Sequence, residues 1–245
     1  MTDLEDLPLA VPHSPFPGLV VERRGFFGTV AAAFAAVSFP GARSNWSCRV
    51  GGDDWTLLQF VTEVTPVCKD LLADLSARGQ DRYLLTLASY AVRLGAVPVP
   101  ESRQIAPGYR LGSDHGPDPF TVLHWQLEPK ATIGLHAHTY GNVVTLGLEG
   151  EALISNYEQV GPRTFATDAD VSVVRVEEQV LRRGDVNLVS LERHYVHGFV
   201  AGPAGASGLD ITTRIRPREK TPTLEVLSAV DAEARTFKAR WHMKD

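Results

Sequence analysis

The stretch "ATIGLHAHTYGNVVTLGLEGEA", residues 131–152, contains the pattern on which the fold prediction rests. His136 and His138 stand two positions apart in a chain with only eight histidines, and an alternating apolar run and a glycine follow them. Residues two apart on a β-strand point to the same face of the sheet. The spacing therefore predicts a strand with two imidazoles side by side, placed to bind one metal ion through neutral ring nitrogens. The alternative is that the two histidines have no shared role, and the surrounding sequence is needed to distinguish the two interpretations.

Short β-type runs, separated by Gly, Pro and Asp, lie on both sides of this stretch from residue 120 onward. Such spacing is typical of an antiparallel sandwich or a small barrel. The segment "GPAGASG", residues 202–208, is predicted to be a turn between two strands. The runs are "FTVLHWQL", "ATIGLHAH", "NVVTLGLE", "EALISNYEQV", "VSVVRVEEQVL", "DVNLVSL", "VHGFVAG" and "LDITTRIR".

The sequence before these runs has a different period. Across residues 53–95 the apolar residues recur three and four positions apart, as on the buried face of a helix. We predict two helices that are separated at "ARGQDR", residues 77–82, with Pro66 starting or kinking the second one. Residues 28–39 are Ala-rich and fit a short buried helix, whereas residues 96–120 are predicted to be Pro/Gly-rich connecting chain.

These patterns divide the chain into three parts. An N-terminal arm and helical segment (1–115) precede a single mainly β unit (116–220), and a C-terminal tail (221–245) is predicted to form a closing helix.

The composition excludes several classes of function. The net charge of −5 and the pI near 5.9 argue against a nucleic-acid surface. Cys48 and Cys68, without a CxxC spacing, are expected to be free thiols in a reducing compartment. The acidic, Pro-containing N-terminus shows no signal peptide and no membrane span, so we expect a cytoplasmic protein.

A third nitrogen ligand is expected from the segment "GDVNLVSLERHYVHGFV", residues 184–200. Here a Gly-Asp turn leads into an apolar run, and His194 and His197 follow it. Together with the HxH pair and the glycine at position 150, this segment resembles the cupin superfamily over roughly residues 120–216. The resemblance implies a mainly β fold, a cupin-type double-stranded β-helix, with a metal ion in the barrel. It also implies a homodimer, since cupin barrels often pair through edge strands or N-terminal segments.

Two departures from the common cupin pattern affect the ligand set. In the common pattern a Glu four or five residues after the second histidine is the fourth metal ligand. That position falls on Val143 here, or on Asn142 with the shorter spacing, so three histidines and no carboxylate are expected. The Pro and Gly that usually precede the last histidine are absent, which leaves His194 and His197 as alternatives. We favour His197 because "HGFV" continues in strand alternation.

Within the cupins the chain resembles cysteine dioxygenase and related thiol dioxygenases. The shared features are the spacing of the HxH pair, a non-acidic residue at the acid position and a helical segment before the barrel. The resemblance implies Fe(II), with Ni, Mn or Zn as the alternative metals, and a small substrate together with dioxygen. Arg110 corresponds in location to a carboxylate-binding Arg, whose planar fork suits that task. Tyr109 and Tyr140 are candidate phenols, and Asn142 is a candidate hydrogen-bonding partner of substrate or dioxygen.

The resemblance fails at the strand that follows the last histidine. The family's His-Tyr pair is absent there, and Asp210 and Thr212 stand in its place. A cupin that uses a metal for isomerase or lyase chemistry therefore remains an alternative. So do a non-enzymatic cupin that binds a small ligand and a β-sandwich with incidental histidines.

Overall fold

The computed structural model describes residues 55–95, 97, 100–114, 119–217, 221–231 and 233–243. The predicted arm, the Ala-rich helix at residues 28–39 and Cys48 lie outside the described residues. Cys68 is a buried free thiol, and burial raises its pKa.

Two helices precede the β-strands, as the apolar period predicted. Helix α1 spans Leu57–Ala73 and begins with a capping box in which Thr56 and Gln59 bind each other's backbone N–H groups. Helix α2 spans Ala77–Ala91 and is capped by Ser76. Among the described residues, neither helix combines the length and the apolar character needed to cross a bilayer.

The predicted boundary between the helices is wrong. Pro66 lies inside α1, and "ARGQDR" lies inside α2 rather than between the helices. The chain turns before Ser76, whose hydroxyl accepts the Gly79 N–H at 3.1 Å. A side chain at Gly79 would place its Cβ 2.2 Å from the Asp74 carbonyl oxygen, so the glycine permits a tight turn rather than ending a helix.

Ten strands follow the helices in the described residues, and the mainly β fold is confirmed. They are β1 (Ser102–Ala106), β2 (Tyr109–Asp114), β3 (Phe120–Leu127), β4 (Thr132–Ala137), β5 (Gly141–Gln159), β6 (Asp170–Arg182), β7 (Val186–Val189), β8 (Val196–Arg214), β9 (Pro222–Asp231) and β10 (Thr236–Met243). Every strand pairing between them is antiparallel.

Two long strands, β5 and β8, pair along most of their length and pass together from one sheet into the other. The helix-side sheet consists of β1, β2, β3, the second half of β8, the first half of β5, and β7. The histidine-side sheet consists of β4, the first half of β8, the second half of β5, β6, β10 and β9. It closes into a barrel because β9 also pairs with β4.

The corner between the sheets lies in the segment predicted to be a turn. Residues 202–208 remain part of β8, which corrects that prediction. Gly150 and Gly205 adopt φ angles of 65° and 79°, where side chains are strained. A Cβ on Gly150 would lie 2.1 Å from the Gly205 carbonyl oxygen, so both long strands bend here only because glycines allow close backbone approach.

The buried residues form a separate core on each side of these sheets. Apolar residues of α1 and α2 pack on the outer face of the helix-side sheet, against residues such as Val122, Val144 and Ile211. A second cluster, with Trp125 and Phe199, lies on the inner face between the sheets. The third cluster fills the other side of the histidine-side sheet.

Two segments form hairpins where the sequence predicted none. The predicted connecting chain contains the β1–β2 hairpin, and the predicted C-terminal helix is the β9–β10 hairpin. In β10, the alternating residues Phe237, Ala239 and Trp241 face the third cluster. That period of two is the pattern of a half-buried strand and explains why the tail is not helical.

Candidate metal centre

Three histidines converge on the inner face of the histidine-side sheet. Strand β4 carries His136, and His138 follows directly after that strand, while His197 lies opposite His136 on β8. Their ring centroids are separated by 5.0 Å (His136–His138), 4.7 Å (His136–His197) and 4.8 Å (His138–His197). One ligand nitrogen from each ring lies within 4.8 Å of the others. The HxH spacing and the later histidine thus meet at one place.

The separation of two nitrogens fits a shared metal ion. Nε2 of His138 and Nε2 of His197 are 2.9 Å apart. Two nitrogens bound at right angles to one ion, each at about 2.1 Å, are about 3.0 Å apart. The Nδ1 atom of His136 lies 3.0 Å from the carbonyl oxygen of Gly134. That contact favours the tautomer in which Nδ1 carries the proton and Nε2 keeps its lone pair.

Burial keeps two of the three rings neutral. His138 is 6% exposed and His197 is 0% exposed. Desolvation lowers the pKa of both imidazoles well below the ordinary value, and the neighbouring His136 lowers it further. A neutral imidazole with a free lone pair is the form that binds a metal, so the environment selects the ligating state.

His194 does not belong to this cluster. Its Nδ1 lies 3.4 Å from the Glu177 carboxylate, and its φ is 54°. The left-handed backbone at this position reverses the chain immediately before β8. Of the two histidines left open by the sequence, His197 is therefore the one that joins His136 and His138.

No carboxylate joins the three rings among the described residues. Val143, at the expected acid position, is buried and pairs with Thr212 on the neighbouring strand. Asn142 lies on the opposite face of β5, where its Oδ1 accepts the Leu191 N–H at 3.1 Å. This corrects the prediction that Asn142 contacts substrate, because consecutive strand residues face opposite sides and Asn142 faces the helices.

Arg110 is also not where the sequence suggested. Its guanidinium is exposed and donates to the hydroxyl and the carbonyl of Ser102 on β1, at 3.1 and 2.7 Å. Strand alternation explains the difference, since the preceding residue, Tyr109, takes the inward face and packs against the Trp125 cluster. The prediction that Arg110 binds a carboxylate beside the histidines is therefore not supported by its position.

The two candidate phenols are separated in the structure, because Tyr140 lies beside the histidines and Tyr109 lies against the Trp125 cluster. The ring of Tyr140 is 6.4 Å from the ring of His138, centroid to centroid. Tyr109 is half-buried, and its pKa is raised first by desolvation and second by the charge of Asp210.

Sequence reasoning assigned no role to two polar groups that lie between the two sheets. Asn156 lies opposite His197 on β5 and exchanges hydrogen bonds of 2.7 and 3.2 Å with Asn187. Asp210 accepts a 2.7 Å hydrogen bond from Thr145, and burial raises its pKa to about 6. One sequence signal for Asp210 was available, because it is the only charged residue in the strand segment 207–213. Asp210 was noted only as a departure from the His-Tyr pair of the thiol dioxygenases.

No family model matches the sequence, and no curated protein matches it. The chain is similar to solved structures at low identity. KdgF from Halomonas sp. is 15% identical, with a TM-score of 0.37 over 48% of this chain and 88% of that chain. An RmlC-like cupin from Shewanella frigidimarina is 20% identical, with a TM-score of 0.36 over 48% of this chain and 86% of that chain. The coconut allergen cocosin is 15% identical, with a TM-score of 0.37 over 46% of this chain and 28% of that chain.

Proposed function

We propose that the chain is a mononuclear non-haem iron dioxygenase that acts on a small carboxylate-bearing substrate. The observation that carries the proposal is the convergence of three imidazoles, from His136, His138 and His197, without a carboxylate among the described residues. Ferrous iron is the metal that the sequence resemblance implies, and nickel, manganese and zinc are its alternatives.

The ligand set has a direct electrostatic consequence. Three neutral ligands leave the charge of a divalent ion uncompensated, so the site favours a substrate with an anionic group. When bound, ferrous iron would supply the redox chemistry that activates dioxygen for transfer into the substrate.

The chain's own residues hold the imidazoles and limit access of water. The Gly134 carbonyl fixes the ring of His136, and the His138 backbone N–H donates to the Tyr195 carbonyl at 3.0 Å. Phe199 packs against the ring of His197 at a centroid distance of 5.0 Å and forms an apolar wall beside the site. These contacts set the directions of the rings before a metal arrives.

The test begins with the metal and continues with dioxygen. Protein purified without a histidine tag is reconstituted anaerobically with Fe(II), and bound iron is measured by elemental analysis. We expect about one iron per chain in the wild type and little in His136→Ala. His194→Ala is the matched control and should retain iron, because His194 lies outside the cluster.

Oxygen uptake is then screened with small thiols, amino acids and catechols. Uptake that requires iron and is lost in His136→Ala supports the dioxygenase. Stoichiometric metal without uptake for any substrate would instead favour metal-dependent isomerase or lyase chemistry, and unchanged iron in His136→Ala would contradict the three-histidine centre.

A further inference from the structure

Asp210 is a buried carboxylate that does not belong to the three-histidine group. It is 7% exposed on the inner face of the helix-side sheet, and the Thr145 hydroxyl donates to its Oδ1 at 2.7 Å. Among the described residues, no lysine, arginine or histidine forms an ion pair with it. A buried carboxylate without a cation is costly, and such groups are commonly retained at binding and catalytic sites.

The strand register places Asp210 at the level of the histidines. Asp210 pairs with Thr145, five residues before the Gly150 corner, and His197 pairs with Asn156, six residues after that corner. Along β5, the partners of Asp210 and His197 therefore lie at nearly equal distances from the bend, in facing sheets. Facing sheets are about 10 Å apart, a separation that a small ligand can span.

A chain of contacts shows that both groups face the same interior. Trp125 pairs with Gly208, two residues before Asp210 on β8, so its indole lies on the same face as the carboxylate. The same ring lies 5.2 Å from Phe199, whose ring lies 5.0 Å from that of His197. Asp210 and the histidines are thus linked by two aromatic rings along one wall.

A second polar group on this face lacks a partner. Thr212, two residues after Asp210 on β8, is 3% exposed, and its hydroxyl has no hydrogen-bond partner among the described residues. Residues two apart on a strand share a face, so this hydroxyl stands beside the carboxylate. Buried polar atoms are normally satisfied, and an unsatisfied one beside an unpaired acid indicates that both contact a ligand.

We propose that Asp210 binds an ammonium group of the substrate, which makes the substrate an amino carboxylate. This inference rests on the proposed function, because the substrate's carboxylate is then directed at the metal centre. The Thr212 hydroxyl supplies a further hydrogen bond next to Asp210. A zwitterion matches the two sites in charge: an uncompensated cation at the histidines and an unpaired anion across the interior.

The experiment compares ligands that differ only in the ammonium group. The probes are L-cysteine against 3-mercaptopropionate and L-serine against 3-hydroxypropionate, titrated calorimetrically and without oxygen into Fe(II)-loaded protein. In the wild type, the amino member of at least one pair should bind about tenfold more tightly, because only that member can form a charge-assisted hydrogen bond with Asp210.

Asp210→Asn should bring that ratio close to one without changing bound iron, because the amide keeps the shape of the side chain and loses its charge. Asp170→Asn, at an exposed carboxylate paired with Lys238 and Arg240, is the matched control and should keep the wild-type ratio. Thermal melting confirms that each variant folds.

The outcomes separate this inference from the metal proposal. An unchanged ratio in Asp210→Asn, or no preference for either amino member in the wild type, overturns the role of Asp210 even if iron binds. If the wild type holds no iron, the metal proposal fails alone. The same titrations on metal-free protein then test the ammonium site, because Asp210 still predicts a preference for the amino member there.

Discussion

At the scale of single residues, the histidines and Asp210 follow opposite electrostatic rules. Burial makes the neutral imidazoles good metal ligands, whereas the same desolvation makes an ionised carboxylate expensive. Asp210 is therefore a residue that the fold holds at a cost in stability.

This cost should depend on pH. The folded pKa of Asp210, about 6, lies above the ordinary value of 3.8, so folding favours the protonated acid. That contribution to stability is present below about pH 4 and is lost as the pH rises through about 6. The difference between the two pKa values corresponds to about 3 kcal/mol.

We predict that Asp210→Asn is more stable than the wild type at pH 8, by up to about 3 kcal/mol, and that the difference nearly vanishes at pH 4. Urea unfolding at both pH values measures it. A variant equally or less stable at pH 8 would show that the carboxylate is not strained by burial.

At the scale of strands and helices, the glycine corner is the feature that the sequence misassigned. Turn-forming residues at 202–208 predicted a break, yet β8 continues because its partner β5 bends at the same place. Such a correspondence between distant segments is invisible to local composition. The helix predicted for the C-terminal tail was wrong for a related reason. The apolar residues of β10 alternate with a period of two, and this pattern indicates a strand only when a neighbouring strand is available for pairing.

Replacing Gly150 with alanine should therefore destabilise the protein more than the same change at Gly161. Both residues have positive φ, 65° and 84°, but a Cβ at Gly161 meets nothing within 4 Å. The clash at Gly150 should add about 1–3 kcal/mol to the shared backbone strain. Urea unfolding of both variants gives the comparison, and equal losses would mean that the backbone contact at the corner relaxes freely.

The C-terminal hairpin supplies a second prediction for a single element. Trp241 is 0% exposed and packs against Phe165, with ring centroids 5.0 Å apart. Trp241→Ala should cost about 3–5 kcal/mol because it leaves a large cavity. His242→Ala, at the adjacent and partly exposed residue, should cost less than about 1 kcal/mol. Similar losses in both variants would argue that the hairpin packs only weakly.

At the scale of the whole molecule, much of the centre could be predicted and its surroundings could not. The HxH spacing and the strand-like context of His197 were enough to select the three rings. Arg110 and Asn142 were assigned from their position along a family pattern, and each points to the wrong side of its strand. Which face of a strand is inward depends on register, and register is set by partners far away in the sequence.

Metal binding should stabilise the folded protein as a whole. His136 and His197 lie on different strands, so an ion that joins them binds the native state and not the unfolded chain. At a free metal concentration one hundred times the Kd, the gain is about 2.7 kcal/mol. Urea unfolding with and without Fe(II), under anaerobic conditions, measures it in the wild type and in His197→Ala. A similar gain in the variant would place the ion somewhere other than among the three rings.

The bend at Gly205 has a further consequence for how this molecule could diversify. His197 and Asp210 belong to one continuous strand and lie on opposite sides of that bend. Inserting or deleting two residues there would shift the acid along its sheet relative to the imidazole, and each side chain would keep its face. The number of residues at the bend would then determine how long a ligand must be to contact both the imidazole and the carboxylate.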